Sequence, residues 1–433
     1  MRVRLIAVTA CAALALGVAA CGSDNNSSTD TGGGGGTSTG TSGGGGGGTV
    51  DIYSSLPLQG ASRVQGVATV NGEKLALKQV GGKVGKFTVK LNSLDDSTAQ
   101  AGKWDPGQTS TNARKAASDK TTIAYIGEFN SGASAISIPI LNRAGIGQIS
   151  PANTAVGLTS SEAGAAPGEP TKYYPTGKRT YVRVVPKDTV QGAADVQVLK
   201  ADGCKKTFVL NDKEVYGAGL ATNVVDALKA QGTPALGNEG WDPKAPNYRS
   251  VAASIKAKGA DCVFLSGIVN NNAVQLTKDL ASALPTAHIV GPDGVCTATY
   301  TDPKQGGIPL SLDNRVQCTV ATLDPSSYPP AGKKFFQDFK KAYPGTTPDP
   351  YSLYGYEAMS LGLDAIKRAG ASGNDRKSVV NALFATRNRQ SVLGTYSIDK
   401  NGDTTLTDYG LYKIVKGQPV FDRVIHAKPG ASG

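Results

Sequence analysis

The sequence predicts an α/β protein of two lobes, each built on a doubly wound parallel sheet. Three observations carry this. From residue 50 onward, short apolar runs alternate with helix-length segments, the spacing that builds parallel strands with crossover helices. The alternation breaks at a loop rich in Gly and Pro (residues 163–178) and restarts at residue 181. The chain's 433 residues are also enough for two domains of ordinary size.

In the first series, residues 50–54 read as a strand, followed by the loop 56–60 and a helix to about residue 80. A strand at 87–91 follows. A long loop then runs through Asp95-Asp96 and Trp104 into a helix ending near residue 117. The stretch IGEFNSGASAISIPILNRAGIGQISPANTAVGLT (residues 126–159) reads as strand, loop, helix, strand, loop. Its helix opens near Gly132 and stops at Arg143-Ala144-Gly145, where Gly supplies the left-handed cap. Two parallel strands joined by one helix leave both following loops on one sheet edge, where open α/β sheets place ligands. The loops carrying Asn130, Ser131, Ala152, Asn153 and Thr154 are therefore expected to share a crevice rich in free amides and hydroxyls. That is chemistry for an anion, most simply a carboxylate. The plainer alternative is that these Ser and Thr residues only cap helices.

The second series has strands at 181–185, 207–210, 262–265 and 288–290, with helices at 191–200, 217–230, 247–258 and from about 272. Helices at 332–343, 352–369 and 376–385 follow. A hairpin is expected next, with strands 396–398 and 409–414 flanking Lys400-Asn401-Gly402. Late helices that close no lobe of their own imply that the chain returns to the first lobe.

Arg2 and Arg4 precede an apolar run over residues 5–20, which ends in Gly17-Val18-Ala19-Ala20-Cys21. This is the pattern of a secretory signal, and it is short for a membrane span. The small residues before Cys21 resemble a bacterial lipobox, implying cleavage before Cys21 and lipid on it; plain secretion is the alternative. Several acyl chains would anchor the protein durably. Residues 22–48 are almost wholly Gly, Ser, Thr, Asn and Asp, a flexible tether that reaches about 30 Å. Of six Cys, Cys11 leaves with the signal and Cys21 takes lipid. Cys204, Cys262, Cys296 and Cys318 remain, an even count that favours disulfides in an exported chain. The expected pairs are Cys204 with Cys262, each just before an apolar strand, and Cys296 with Cys318, which bracket a turn-rich loop. A metal site is the rival, and no C-x-x-C supports it. The net charge of +11 is scattered without a basic helix or patch, so nucleic acid is not an expected partner.

The pieces SLPLQG (55–60), IGEFNSGAS (126–134), ISPANTAVGLT (149–159), NDKEVYGAGLA (211–221) and VGPDGV (290–295) stand in one order. Together they resemble the substrate-binding lipoproteins of branched-chain amino-acid ABC importers, the Leu/Ile/Val-binding type, from about Val50 to Val424. The resemblance implies the type I periplasmic binding protein fold, with three crossings between lobes that close on ligand. It puts residues 50–180 and 326–390 in lobe 1 and 181–325 and 391–425 in lobe 2, with the signal at 1–20, the lipidated Cys and tether at 21–48 and a tail at 426–433. Carried over residue by residue, the ligand carboxylate falls to Ser131, Ala152 and Thr154. The second lobe's Tyr falls on Tyr216, and the acid that meets the ligand ammonium falls on Asp293. An α-amino acid needs this complement, a hydroxyl and amide nest at one end and a carboxylate at the other. Glu128, Phe129, Asn130 and Asn153 in the ligand loops, Trp104 near the cleft mouth and Ile268 are further candidates. At Ile268 many relatives carry an aromatic side chain.

The implied protein is a monomer on the outer face of the bacterial cytoplasmic membrane, held there through Cys21. It passes a small ligand to an ABC permease and uses no cofactor or metal. A sensor of the same fold that reports to a membrane receptor is the alternative. An enzyme is not expected. The two His residues, His288 and His426, accompany no nucleophile motif. GGKVGK (81–86) lacks the spacing of a phosphate loop. The run from Asp399 to Asp403 has Thr404 where a calcium loop needs Gly.

Overall fold

The computed structural model describes residues 47–427 apart from residue 347. Two large sheets dominate, with strands numbered in chain order. The first lies in the order β2 (Lys83–Val84), β3 (Phe87–Asp95), β1 (Thr49–Leu56), β6 (Thr122–Ile126), β7 (Gly147–Ser150) and β8 (Tyr181–Arg183). It is parallel except for the edge pair β2–β3. The second lies in the order β10 (Asn238–Gly240), β9 (Thr207–Asn211), β11 (Cys262–Ser266), β12 (His288–Gly291), β13 (Val316–Val320), β16 (Asp408–Val415) and β17 (Gln418–His426). Its last two strands join antiparallel. Two small hairpins, β4 (Ser97–Thr98) with β5 (Lys103–Trp104) and β14 (Arg389–Ser391) with β15 (Gly394–Tyr396), stand apart. Both large sheets carry helices, so their inner strands are buried on both faces, as β6 and β11 are throughout.

The helices of the described residues are α1 (Arg63–Gln79), α2 (Pro106–Ser118), α3 (Ser131–Arg143), α4 (Asp188–Ala201), α5 (Val215–Ala230), α6 (Arg249–Ala257), α7 (Ala273–Ala283), α8 (Ala298–Thr301), α9 (Pro330–Ala342), α10 (Pro350–Ala369) and α11 (Arg376–Phe384). The two longest, α1 and α10, cross with their backbones in contact. A Cβ on Gly72 would stand 2.0 Å from the Ser352 carbonyl oxygen, and one on Gly355 would stand 2.1 Å from that of Thr69. Glycine is required at both positions by that close approach. The late helices thus return to the first sheet, as the sequence implied.

Four expectations are corrected. The strand at 181 completes the first sheet, pairing with β7 from Gln148↔Tyr181 to Ser150↔Arg183. The Gly- and Pro-rich loop before it packs on α3 and does not cross to a second lobe: Asn142 donates to the Lys178 carbonyl, and the Tyr174 hydroxyl donates to that of Leu158. The hairpin expected across 400–402 does not form. That turn closes only the bridge Ile398↔Thr404, and its Gly402 carbonyl accepts from the Arg183 amide. The partner of β16 is β17, reached through Lys416-Gly417, both with positive φ. This two-residue turn matches the twist of a hairpin. The boundary expected at 390/391 moves as well. Arg389 and Tyr396 both bond Glu357 of α10, so the last passage to the second sheet lies between residues 404 and 408. β17 also extends into the expected tail at His426.

The disulfides are the expected ones, Cys204 with Cys262 and Cys296 with Cys318, with Cα–Cα distances of 5.7 and 5.6 Å. The signal, Cys21 and nearly all of the tether lie outside the described residues. No helix among the described residues is long and apolar enough to cross a membrane.

Candidate ligand cleft

The loops after β6 and β7 lie together at the C-terminal edge of the first sheet. Ser131 opens α3 and is almost fully buried, and its Oγ accepts from the Ala155 amide at 3.4 Å. Ala152 and Thr154 are also buried. The loop is less free than expected. Ser150 Oγ accepts the Ala152 and Asn153 amides at 3.2 and 2.8 Å and donates to the Glu128 carbonyl at 3.0 Å. Asn153 turns inward: its Nδ2 donates to the Phe129 carbonyl at 2.8 Å, and its Oδ1 accepts from Ser134 and Tyr181. It ties the two loops to each other. Asn130 is the N-cap of α3, yet its side chain makes no capping bond.

Glu128 is corrected from a ligand-loop acid to an interior one. It is fully buried and accepts from Tyr125 at 2.7 Å, while its second oxygen has no partner. Beside it lies Asp96, also fully buried, with neither oxygen bonded. Burial first, and then the charge of Glu128, pushes the Asp96 carboxyl well above the usual range; burial brings Glu128 to about 7. Two buried carboxyls side by side cannot both ionise easily, which favours a protonated form in the pair.

At the second sheet, Asp293 follows β12 and is the hub. Its Oδ1 accepts from the Tyr216 hydroxyl at 2.7 Å and from Gln191 Nε2 at 2.8 Å, and its Oδ2 accepts from the Tyr351 hydroxyl at 2.5 Å. Burial and then the Asp293 charge raise both phenols well above their ordinary pKa. Tyr351 opens α10, and its ring meets Phe129 edge-on at 4.7 Å. Ile268 is buried in the same cluster as Tyr216 and Ala152. The first turn of α4 joins the two halves. The Asp188 amide donates to the Thr154 carbonyl at 2.8 Å, and Gln191, one turn later, reaches Asp293. The Asp188 carboxyl is fully buried with both oxygens unpartnered, and burial, with the nearby Asp293 charge adding, raises it to about 8.

Beneath the Ala152–Thr154 loop lies Arg183, fully buried. Its Nε pairs with Asp403 at 2.8 Å, and its Nη1 donates to the carbonyls of Asn153 and Ala155 at 3.1 and 2.9 Å. Burial alone would raise the Asp403 carboxyl, but the charges of Arg183 and then Lys187 hold it below the usual range. Trp104 covers the start of α3: a Cβ on Gly132 would lie 2.8 Å from its Cζ2.

Of the sequence candidates, the structure gathers Ser131, Ala152 and Thr154 on one side and Tyr216 and Asp293 on the other. Phe129 stands between them, and Trp104 stands at the N-terminus of α3. Asp188, Gln191, Tyr351 and Arg183 were missed. An Asp near a helix start is an ordinary capping type, a Tyr there carries no signal, and Gln191 reads as the opening of a helix. Arg183 alone carried a signal, as a charge inside an apolar strand.

Two parallel α/β lobes that pool an acid from one sheet and a hydroxyl-bearing helix start from the other define a solute-binding cleft. The chain belongs to the periplasmic binding protein family, whose sequence profile matches residues 50–419. It is similar to the Leu/Ile/Val-binding protein homolog 1 of Brucella suis biovar 1 (strain 1330), with 27% identity over 370 residues, 84% of this chain and 89% of that one. It is also similar to an amino acid binding protein of Pseudomonas aeruginosa, with 27% identity over 82% of this chain and 83% of that one. Among solved structures, the leucine binding protein LivK of Thermotoga maritima MSB8 superposes with a TM-score of 0.73 at 24% identity, covering 87% of this chain and 99% of that one. A solute binding protein of R. palustris in complex with benzoate superposes at 0.70 with 19% identity, covering 89% and 98%. The family is one of solute-binding proteins, which places the chain outside the cytoplasm.

Proposed function

We propose that the protein captures an amino acid, of the branched-chain or a related type, between its two lobes and delivers it to an ABC importer. The observation that supports this best is the buried Asp293, held by Tyr216 across the cleft from Ser131, Ala152 and Thr154. A ligand ammonium meets Asp293 while its carboxylate takes the helix start and hydroxyls of the first lobe. Phe129 and Ile268 offer apolar surface to the side chain. Closure follows from the ligand's differential affinity for the closed form, and no bond is made or broken. Lobe 1 comprises residues 49–183 and about 326–404, and lobe 2 most of the remainder to 426. A monomer anchored by lipid on Cys21 would present this cleft to the permease. Replacing Cys21 by Ser should release the protein from membranes into the medium.

A thermal-shift series with L-leucine, L-isoleucine and L-valine tests the ligand, because a solute that binds only the folded state raises the melting point with its concentration. A second reading rests on the fact that Asp293 already accepts from three donors. In that reading the ligand is an aromatic carboxylate without an amine, seated against Phe129 and Tyr351. A shift with benzoate and none with the amino acids would select it.

A further inference from the structure

A second set of contacts joins the loops of the two sheets at the cleft mouth. From the first sheet's side, the β4–β5 hairpin presents Lys103 and Trp104. Lys103 Nζ bonds Glu214 Oε1 at 2.5 Å and Asn271 Oδ1 at 2.7 Å, and Trp104 Nε1 donates to Glu214 Oε2 at 3.2 Å. Next to them, Ser62 Oγ donates to Asn270 Oδ1 at 2.8 Å, and Asn270 Nδ2 donates to the Gly102 carbonyl at 3.0 Å.

The receiving side is a pair of carboxyls. Asn271 Nδ2 bridges Asp212 Oδ2 and Glu214 Oε1 at 2.8 and 2.9 Å. Burial, and then the charge of Glu214, raises Asp212 to about 6. Two like charges held this close in a half-dry site repel unless a cation joins them. Lys213, between them in sequence, lays its side chain along Gly240. The cation that faces the pair is Lys103, and it arrives from the other lobe.

We propose that Lys103 and Glu214 form a closure latch. The latch favours the closed arrangement without ligand and slows the release of a captured solute. Lys103 is a positioning residue, separate from the groups proposed to touch ligand. The statement about release rests on the solute-capture reading; the statement about closure does not. The chain has two Trp residues, one on the latch and one on Asn271, which bonds both latch residues. Trp104 bonds Glu214, and Trp241 Nε1 donates to the Asn271 carbonyl at 2.7 Å. Intrinsic fluorescence therefore reports on it.

The test compares wild type, Lys103→Met, Lys103→Arg and Glu214→Gln, first without ligand, by small-angle X-ray scattering and tryptophan emission. Lys103→Met and Glu214→Gln should enlarge the radius of gyration and shift emission to the red, and Lys103→Arg should restore both. In stopped-flow with L-leucine, Lys103→Met should raise the off-rate roughly tenfold and also raise the on-rate, because more of the ligand-free protein is open to solute. Unchanged scattering and emission in both charge-removing variants would overturn the latch, as would an equal loss in Lys103→Arg. If leucine binds none of the proteins, the ligand assignment fails, and the ligand-free measurements still decide the latch.

Discussion

The two sides of the cleft are built differently. On the first sheet, the loops that carry Ser131 and Thr154 are tied by groups of that same lobe: Ser150, Asn153, and Arg183 from below. On the second, Asp293 takes its donors from three helices, Gln191 of α4, Tyr216 of α5 and Tyr351 of α10, and α10 packs on the first lobe. One half of the proposed site is held by bonds within its own lobe, and the other takes a donor from the opposite lobe.

The support beneath the first side should be the costliest to remove. Arg183→Met would leave the buried Asp403 with only Lys187, 3.6 Å away, as counter-charge and release two loop carbonyls. The expected loss is about 3–5 kcal/mol of folding stability, read by denaturant unfolding, with Asp403→Asn in the same chain recovering part of it. A loss confined to affinity would mean that Arg183 serves the loop and not the fold.

The groups proposed to face the ligand come next. Asp293→Ala should weaken L-leucine by at least about a hundredfold in calorimetry, because the buried ammonium loses its counter-charge. Ser131→Ala should cost less, about 1–3 kcal/mol, by leaving a carboxylate oxygen unpaired. The contrast sharpens in scattering: Asp293→Ala should also change the ligand-free radius of gyration, since it removes Tyr351's tie across the lobes, and Ser131→Ala should not. Equal scattering for the two variants would remove the distinction between the sides.

The last effect is on pH and does not involve the proposed ligand contacts. Glu73 and Asp188 are raised to about 8 and Glu128 to about 7, each mainly by burial. An unfolded carboxyl titrates near 4. Between about 4 and 8 the native chain therefore holds more protons than the unfolded one, and the slope of stability against pH is negative. The stabilisation is complete below the unfolded pKa and is lost as pH rises through 7 to 8. The melting point should be lower at about pH 8.5 than at about pH 5.5, and Glu73→Gln should flatten that fall. A flat profile in the wild type would mean that these acids are paired in solution.

Much of this was legible in the chain. Strand–helix alternation announced two parallel sheets, and the placement of both ligand loops on one sheet edge follows from chain direction alone. The Cys pairs were legible because Cys204 and Cys262 each stand just before an apolar strand, and Cys296 and Cys318 bracket a turn-rich loop. Tyr216 and Asp293 were located through family motifs, and the structure joins them by a direct bond.

What local sequence determined is burial and periodicity, which each segment carries in its own residues. What the tertiary structure decided is which distant segments meet. The strand at 181 belongs to the first sheet because its preceding loop folds back on α3. The turn at 400–402 docks on Arg183, 220 residues from its partner Asp403. Tyr351 completes the acid's shell from 58 residues away, and Lys103 crosses to Glu214 over 111. A side chain that reads as a cap or a surface charge becomes a site residue only when the fold sets an opposite group within hydrogen-bonding reach, and no pattern along the chain encodes that distance.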